Sequence, residues 1–487
     1  MKKLKYFLIS LIILFTIGTI DILSPSFSIF GISSKIFPDK YKNLVKEKLF
    51  FIPNAIKNER LLNKRVTILS SNVQNSKNNI NNIYSLLKSS NLDLQTTFIS
   101  EKKIISKNGN HYNLTLYSLP FLNYINSDAK PAGYLEKNLE NLIIVSGDGM
   151  LFSVNTNEFD QKKINMNKIK TNLKSFSFFE GINKNGDLSI RDVEIHKDKI
   201  YLSVINEIKD NCFNLEIVRA DLKSLEELEF KMFFSIEECA SKDDFAELNL
   251  GQSGGRIVFY KDKLIFSTGG FRTRIKPQDD NSLYGKTLSI DLANNYLKTI
   301  SKGHRNAQGL AVFQDAIIST EHGPQGGDEV NILKDIFKNE KILNFGWPIS
   351  SYGKHYPNVV SLRKSRTDYD EFIKVAPLHK SHKKYGFIEP IKYYSPESIA
   401  ISEIEFSNIN FDKNFTNDVY FGALRNSIEV RAKIYHLKFD EKFQKIIYED
   451  EILIEQRIRD IKIPKQENKM YLVLESVPYL GILEKIN

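Results

Sequence analysis

The side chains with the most chemical potential lie in two stretches. The first runs from Gly303-His304-Arg305-Asn306 through Thr320-Glu321-His322-Gly323-Pro324-Gln325-Gly326-Gly327-Asp328-Glu329 to Asn344-Phe345-Gly346-Trp347-Pro348. The second is Arg457-Ile458-Arg459-Asp460. A guanidinium holds a carboxylate through two parallel N–H donors, so these arginines suit an anionic ligand. Taken singly, an Arg-x-Arg on a strand is an ordinary solvated face and a Gly-Pro an ordinary turn. Asp328 and Glu329 offer the oxygen ligands that a structural calcium takes, while Glu329 equally suits the start of the strand Val330-Asn331-Ile332. His304 and His322 are the titratable groups nearest these motifs, as hydrogen-bonding framework or as bases. Trp347 suits packing or the wall of a site.

Strands must position these residues. Six segments share a polar pair followed by an apolar run. They begin at Glu140-Asn141, Asp198-Lys199, Asp262-Lys263, Gln314-Asp315, Asn417-Asp418 and Asn468-Lys469. Short strands precede several of them, and Ile190-Arg191-Asp192-Val193-Glu194-Ile195 is nearly copied by Ile458-Arg459-Asp460-Ile461-Lys462-Ile463. Two strands joined by a tight polar turn, recurring every ~50–65 residues, describe the blades of a β-propeller. The expectation is an all-β, six-bladed β-propeller over residues 111–487. The spacing nearly doubles between the fourth and fifth copies, so residues 344–398 read as a long insertion rather than a seventh blade. Residues 23–110 carry no repeat and read as a helical or irregular lead-in, with short helices over Tyr41–Lys57 and Val73–Ser89.

Composition fits that reading. The 487 residues are 41% hydrophobic, with 22 Tyr and 33 Phe, enough for a large core rich in strand-forming side chains. The net charge of +9 comes from 68 basic residues interspersed with 59 acidic ones. Without a concentrated basic stripe, nucleic acid is excluded as the expected partner. Lys2, Lys3 and Lys5 precede an apolar run from Phe7 to Ile20, so residues 1–22 read as a secretory signal or an uncleaved membrane anchor. The expected location is therefore extracytoplasmic, periplasmic or tethered to a membrane. In that oxidising setting Cys212 and Cys239 are expected to be bridged.

In order and spacing, the motifs from Gly303 to Pro348, together with Arg457-Ile458-Arg459-Asp460, closely resemble those of the soluble quinoprotein sugar dehydrogenases. This is the glucose/sorbosone dehydrogenase-like family that uses pyrroloquinoline quinone (PQQ). The resemblance implies a six-bladed propeller holding PQQ and calcium. It implies that Arg305 and Asn306 reach the cofactor, with Arg457 and Arg459 against its carboxylates. Arg425, in Gly422-Ala423-Leu424-Arg425, stands where the family has a lysine. The carbonyls of Gly323 and Pro324 would hold the calcium that polarises the quinone, and Glu329 is a further candidate ligand. The implied reaction is oxidation of a sugar or related alcohol by hydride transfer, with an electron acceptor that the sequence does not identify.

One departure is local. The family places its base histidine four residues before the arginine of a Gly-Gly-Arg strand start, and here Gln252 precedes Gly254-Gly255-Arg256. The Gly-Asp that follows the next strand in the family is Gly269-Gly270. Gln278-Asp279 and Asn281-Ser282-Leu283, further along the same blade, still match. A glutamine amide takes up no proton near neutral pH, and a positioned base contributes about 10²–10⁴-fold in rate. The alternative expectation is therefore a non-catalytic exported propeller that binds a carbohydrate, a small anion or a protein partner.

Overall fold

Short runs of β-branched and aromatic residues, broken by polar turns, form antiparallel strands along most of the chain. The computed structural model describes residues 92–122, 132–179, 189–241, 247–336, 341–413, 417–425 and 432–486, with Ser90, Phe245 and Lys338. The strands group into four-stranded antiparallel units. The first unit is Gly133–Asn138, Asn141–Ser146, Leu151–Asn155 and Lys163–Thr171. Next come Ile190–His196, Lys199–Lys209, Cys212–Asp221 and Lys231–Ser235. The third unit is Gly254–Tyr260, Lys263–Thr268, Lys286–Asp291 and Leu297–Lys302. The fourth is Ala307–Phe313, Ala316–Glu321, Asp328–Lys334 and Lys392–Tyr394. The fifth is Ile401–Phe406, Asp418–Ala423, Lys433–Phe439 and Ile446–Leu453. The last comprises Ile458–Lys462, Lys469–Leu474, Tyr479–Ile486 and His111–Ser118.

The first strand of each unit contacts that of the next, and Ile458–Lys462 returns to Gly133–Asn138, so these inner strands form a closed cycle. Closure is reinforced outside the cycle. The near-terminal strand Tyr479–Ile486 pairs with His111–Ser118 along its whole length. Leu94–Ile105 then bridges His111–Ser118 to Lys163–Thr171 and fuses first and last units into one ten-stranded sheet. Apolar faces fill the space between units, as where Leu202, Ile217, Leu264 and Phe266 are wholly buried in one cluster. Burying each such side chain contributes roughly 1.5–3 kcal/mol.

The recurring polar pairs have a backbone reason. The turns between inner and second strands put Leu139, Lys197, Lys261 and Gln314 at φ of 51°, 56°, 55° and 54°. Each sits in or next to a two-residue turn whose polar groups remain in water.

Two boundaries differ from expectation. Among the described residues, strand structure begins at Leu94 rather than residue 111, and Leu94–Ile105 is too solvent-exposed to show an apolar alternation. The 344–398 segment is more than an insertion, because Lys392–Tyr394 completes the fourth unit. The rest carries the helices Pro357–Ser365 and Tyr369–Val375. Cys212 and Cys239 are paired, with Cα atoms 5.3 Å apart. The expected signal or anchor and both lead-in helices lie outside the described residues. Among the described residues, no helix is long and apolar enough to cross a membrane.

Candidate functional site

Inner strands start and second strands finish at the same end of each antiparallel hairpin, and the motif residues gather there. Gln252, Arg305-Asn306 and Arg457 lie just before the inner strands of the third, fourth and last units. His322-Gly323-Pro324 and Arg425 follow the second strands of the fourth and fifth.

The Gly-His-Arg-Asn motif is a scaffold with one group left over. His304 is fully buried, its Nδ1 2.8 Å from Glu321 Oε2 and its Nε2 2.7 Å from Ser301 Oγ. With both nitrogens engaged, His304 is framework rather than base. The other oxygen of Glu321 accepts the Arg305 backbone N–H, which fixes where the Arg305 side chain starts. The Arg305 guanidinium donates to the His322 carbonyl at 2.9 Å and lies 5.5 Å from the Trp347 ring centre. Its Nε is buried with no hydrogen-bond partner among the described residues, and burial holds its pKa below the usual arginine value. His322 is buried as well, and burial pushes its pKa down to about 4.

Asn306 clamps the turn that bears Gln252. Its Oδ1 accepts from the Gly254 N–H (3.1 Å) and from Gln308 Nε2 (3.0 Å), while its Nδ2 donates to the Gly251 carbonyl (3.2 Å). Gln308 Oε1 in turn accepts from Arg459 at 3.4 Å. Arg305-Asn306 and Arg459 thus belong to one linked row. Arg457 and Arg459 share a single buried carboxylate, Glu475, at 3.1 and 2.6 Å. Arg425 is tied elsewhere, 2.8 Å from Glu397 and donating to the Ser398 carbonyl at 3.1 Å.

Gly323 and Pro324 lie in a turn that Asp328 shapes. Asp328 Oδ1 accepts the Gly323 N–H at 2.9 Å, and Oδ2 accepts from Ser398 Oγ (2.6 Å) and the Ala400 N–H (2.7 Å). Gly323 has no alternative, since a Cβ there would fall 2.2 Å from the Gly327 oxygen. Glu329 is buried beside His382 Nε2 at 3.2 Å and accepts from Asn331 at 3.2 Å, and burial raises its pKa. Both carboxylates therefore already have protein partners.

Gln252 ends the short turn Leu250–Gln252 and is buried. With its amide oriented so that both contacts are satisfied, its oxygen accepts from Arg272 Nε at 2.9 Å and from Arg305 Nη2 at 3.2 Å. Gly269 makes room for this turn, because a Cβ at 269 would lie 2.1 Å from the Gln252 carbonyl oxygen. Two features escaped the sequence reading. Arg256 of the Gly-Gly-Arg landmark inserts into the cycle of inner strands, Nη1 meeting Asp192, Glu403 and Asp460 at 3.1, 2.5 and 2.7 Å. Arg272 and Arg274 also converge on the site, and a second Arg-x-Arg after Gly269-Gly270 was the signal for them.

The geometry defines an all-β protein with arginines clustered at one end of its hairpins. A family model, Glucose / Sorbosone dehydrogenase, matches residues 159–478, and the chain belongs to that family. It is 32% identical over 187 residues to the uncharacterized protein slr1608 of Synechocystis sp., covering 36% of this chain and 38% of that one. To the aldose sugar dehydrogenase YliI of Escherichia coli K12 it is 28% identical over 227 residues, 43% of this chain and 53% of the relative. The chain thus matches only about half or less of each curated relative's length. The crystal structure of the soluble aldose sugar dehydrogenase from Escherichia coli, in its apo form, superposes with a TM-score of 0.56 at 19% identity, covering 80% of this chain and 99% of that one. A glucose dehydrogenase crystal structure gives 0.55 at 21%, covering 74% and 96%. These likenesses establish the fold.

Proposed function

We propose that this chain is a sugar dehydrogenase-like oxidoreductase, a six-bladed propeller that uses PQQ and calcium and works outside the cytoplasm. The observation that carries the reading is the row Arg305-Asn306-Gln308-Arg459, with Arg457 alongside. It supplies fixed cations and a buried Arg305 Nε that has no hydrogen-bond partner among the described residues, which suits a flat tricarboxylate. The six-bladed form is supported by the closed cycle of inner strands. Export is supported by the N-terminal lysines and apolar run and by the paired cysteines.

When bound, PQQ supplies a two-electron quinone acceptor for the hydride of the substrate carbon, and calcium polarises it. Arg305, Arg457 and Arg459 would hold the carboxylates, with Arg425 nearby, and the Gly323 and Pro324 carbonyls would face the metal. Asn306 keeps the Gln252 turn against this cleft. Gln252 cannot accept the proton of a sugar hydroxyl, so turnover of ordinary aldoses is expected to be slow. The same observation favours a second reading, a binding propeller that retains the anion cleft without fast chemistry.

The test is titration of the purified chain with PQQ and calcium, followed by cofactor absorbance, and then an aldose assay with an artificial acceptor. Binding should require both components, and Arg457→Ala/Arg459→Ala should weaken it at least 100-fold. A native protein that takes up no PQQ with calcium present overturns the cofactor assignment. Binding without turnover selects the second reading.

A further inference from the structure

The loop after Lys263–Thr268 brings a second pair of arginines to the cleft. Arg274 is 6% exposed, and its Nε has no hydrogen-bond partner among the described residues. It donates from Nη1 to the Arg272 carbonyl at 3.2 Å. Its guanidinium lies 5.4 Å from the Trp347 ring centre and 5.8 Å from that of Phe372. Trp347 also faces Arg305, at 5.5 Å. Arg272 donates to Gln252 and lies 5.9 Å from the Tyr356 ring centre.

Among the described residues, counter-charge is scarce here. Glu247 is 3.8 Å from Arg272 and 3.6 Å from Arg363, whose closer partner is Asp368 at 2.9 Å. Burial first, and then the neighbouring Arg305, pull the Arg274 pKa down to about 9; Arg272 and Arg363 add to this and only Glu247 opposes it among the leading influences. A buried cation with an unmade hydrogen bond is costly unless something pairs with it. The aromatic faces relieve part of that cost but accept no N–H in line.

We propose that Arg272 and Arg274, walled by Trp347, form a subsite for an anionic group on the substrate, a carboxylate or phosphate, so that the sugar taken is an acidic one. This rests on the reading that a sugar binds in this cleft. The pair belongs to the substrate rather than to the cofactor by position. It hangs from the third unit, which stands opposite the last unit and its Arg457 and Arg459 in the cycle of inner strands. Gln252, at the place of the family's base, lies between Arg272 and Arg305. The subsite also explains the glutamine, whose neutral carbonyl oxygen accepts from two guanidiniums at once.

The experiment is calorimetric titration of the cofactor-free full chain with glucuronate, glucose 6-phosphate and glucose at low salt, repeated for Arg274→Gln, Arg272→Gln and Arg274→Lys. At least one acidic sugar should bind ten times or more tightly than glucose, and whichever binds identifies the anion. Both glutamine variants should lose tenfold or more of that affinity, Arg274→Lys should regain part of it, and PQQ titration of the glutamine variants should be unchanged. Equal affinity for glucose and the acidic sugars overturns the proposal. So does loss of PQQ uptake in Arg272→Gln, whose side chain is partly exposed and whose fold is therefore less at risk. Failure of the native chain to bind PQQ would sink the dehydrogenase reading alone, because the sugar titrations need no cofactor.

Discussion

At Gln252 a carboxamide occupies the place of a base, and its surroundings say what restoring the base would require. The side chain is buried, with its oxygen on Arg272 and Arg305. An imidazole placed there would face two cations, which disfavour its charged form and keep a lone pair available near neutral pH. No carboxylate follows Gly269 to orient that ring, yet Gly270 could carry one. Its φ is ordinary, and an added Cβ would meet Pro277 Cγ at 3.2 Å, a contact that a small shift relieves. Gln252→His should raise PQQ-dependent aldose turnover about tenfold or more, within the 10²–10⁴ range of a positioned base. Adding Gly270→Asp should raise it further. Turnover measured with an artificial electron acceptor decides it: strong native activity that Gln252→His leaves unchanged would remove Gln252 from the base position.

At the scale of the strands and loops, the sequence was readable where each side chain does a repeated job. The polar-pair segments are the second strands of the units, and Asp192 and Asp460 of the near-copied inner strands both accept from Arg256. Arg305 and Asn306 stood out because their motif is contiguous, and the structure links them through Gln308 to Arg459, 151 residues further along the chain. Arg272 and Arg274 were not, since their meaning depends on aromatic rings brought over from the 344–398 segment. Leu94–Ile105 was hidden because most of its side chains face solvent. The cysteine pair ties into this loop architecture. Next to Cys212–Cys239, Phe213 and Ala240 exchange backbone hydrogen bonds, and Tyr284 Oη donates to the carbonyls of Phe213 and Glu238. Glu238 accepts from Ser282, the Leu283 N–H and Lys276, so this corner braces the loop that carries Arg272 and Arg274. Cys212→Ser/Cys239→Ser should therefore cost about 2–4 kcal/mol in urea unfolding. It should also weaken acidic-sugar binding, and an unchanged unfolding midpoint would show the bridge to be energetically idle.

Across the whole molecule, the cycle of inner strands encloses stacked layers of charge. In one layer Arg256 is held by Asp192, Glu403 and Asp460, which tie the second, third, fifth and last units together. Two residues along the strands, Lys462 lies 2.7, 3.6 and 3.1 Å from Glu136, Glu194 and Glu405. Three carboxylates face one cation there, so burial is incompletely offset. The Glu405 pKa is pushed up to about 7, chiefly by burial and against the pull of Lys462, from an ordinary value of 4.5. Between those two values the folded state holds a proton that the unfolded chain has lost. This contribution therefore falls as pH rises from about 4.5 to about 7 and is flat on either side. Because the Glu405 side chain is 24% exposed, the swing is discounted to on the order of 1–3 kcal/mol. Buried histidines oppose the trend: burial lowers the pKa of both His322 and His355 to about 4, so their contributions grow as pH rises. The comparison that isolates the channel is thus native chain against Glu405→Gln, unfolded in urea at pH 5 and pH 8. The variant should gain stability relative to the native chain at pH 8 and match it at pH 5. A difference between the two that does not change with pH would mean that Glu405 stays ionised in the folded channel.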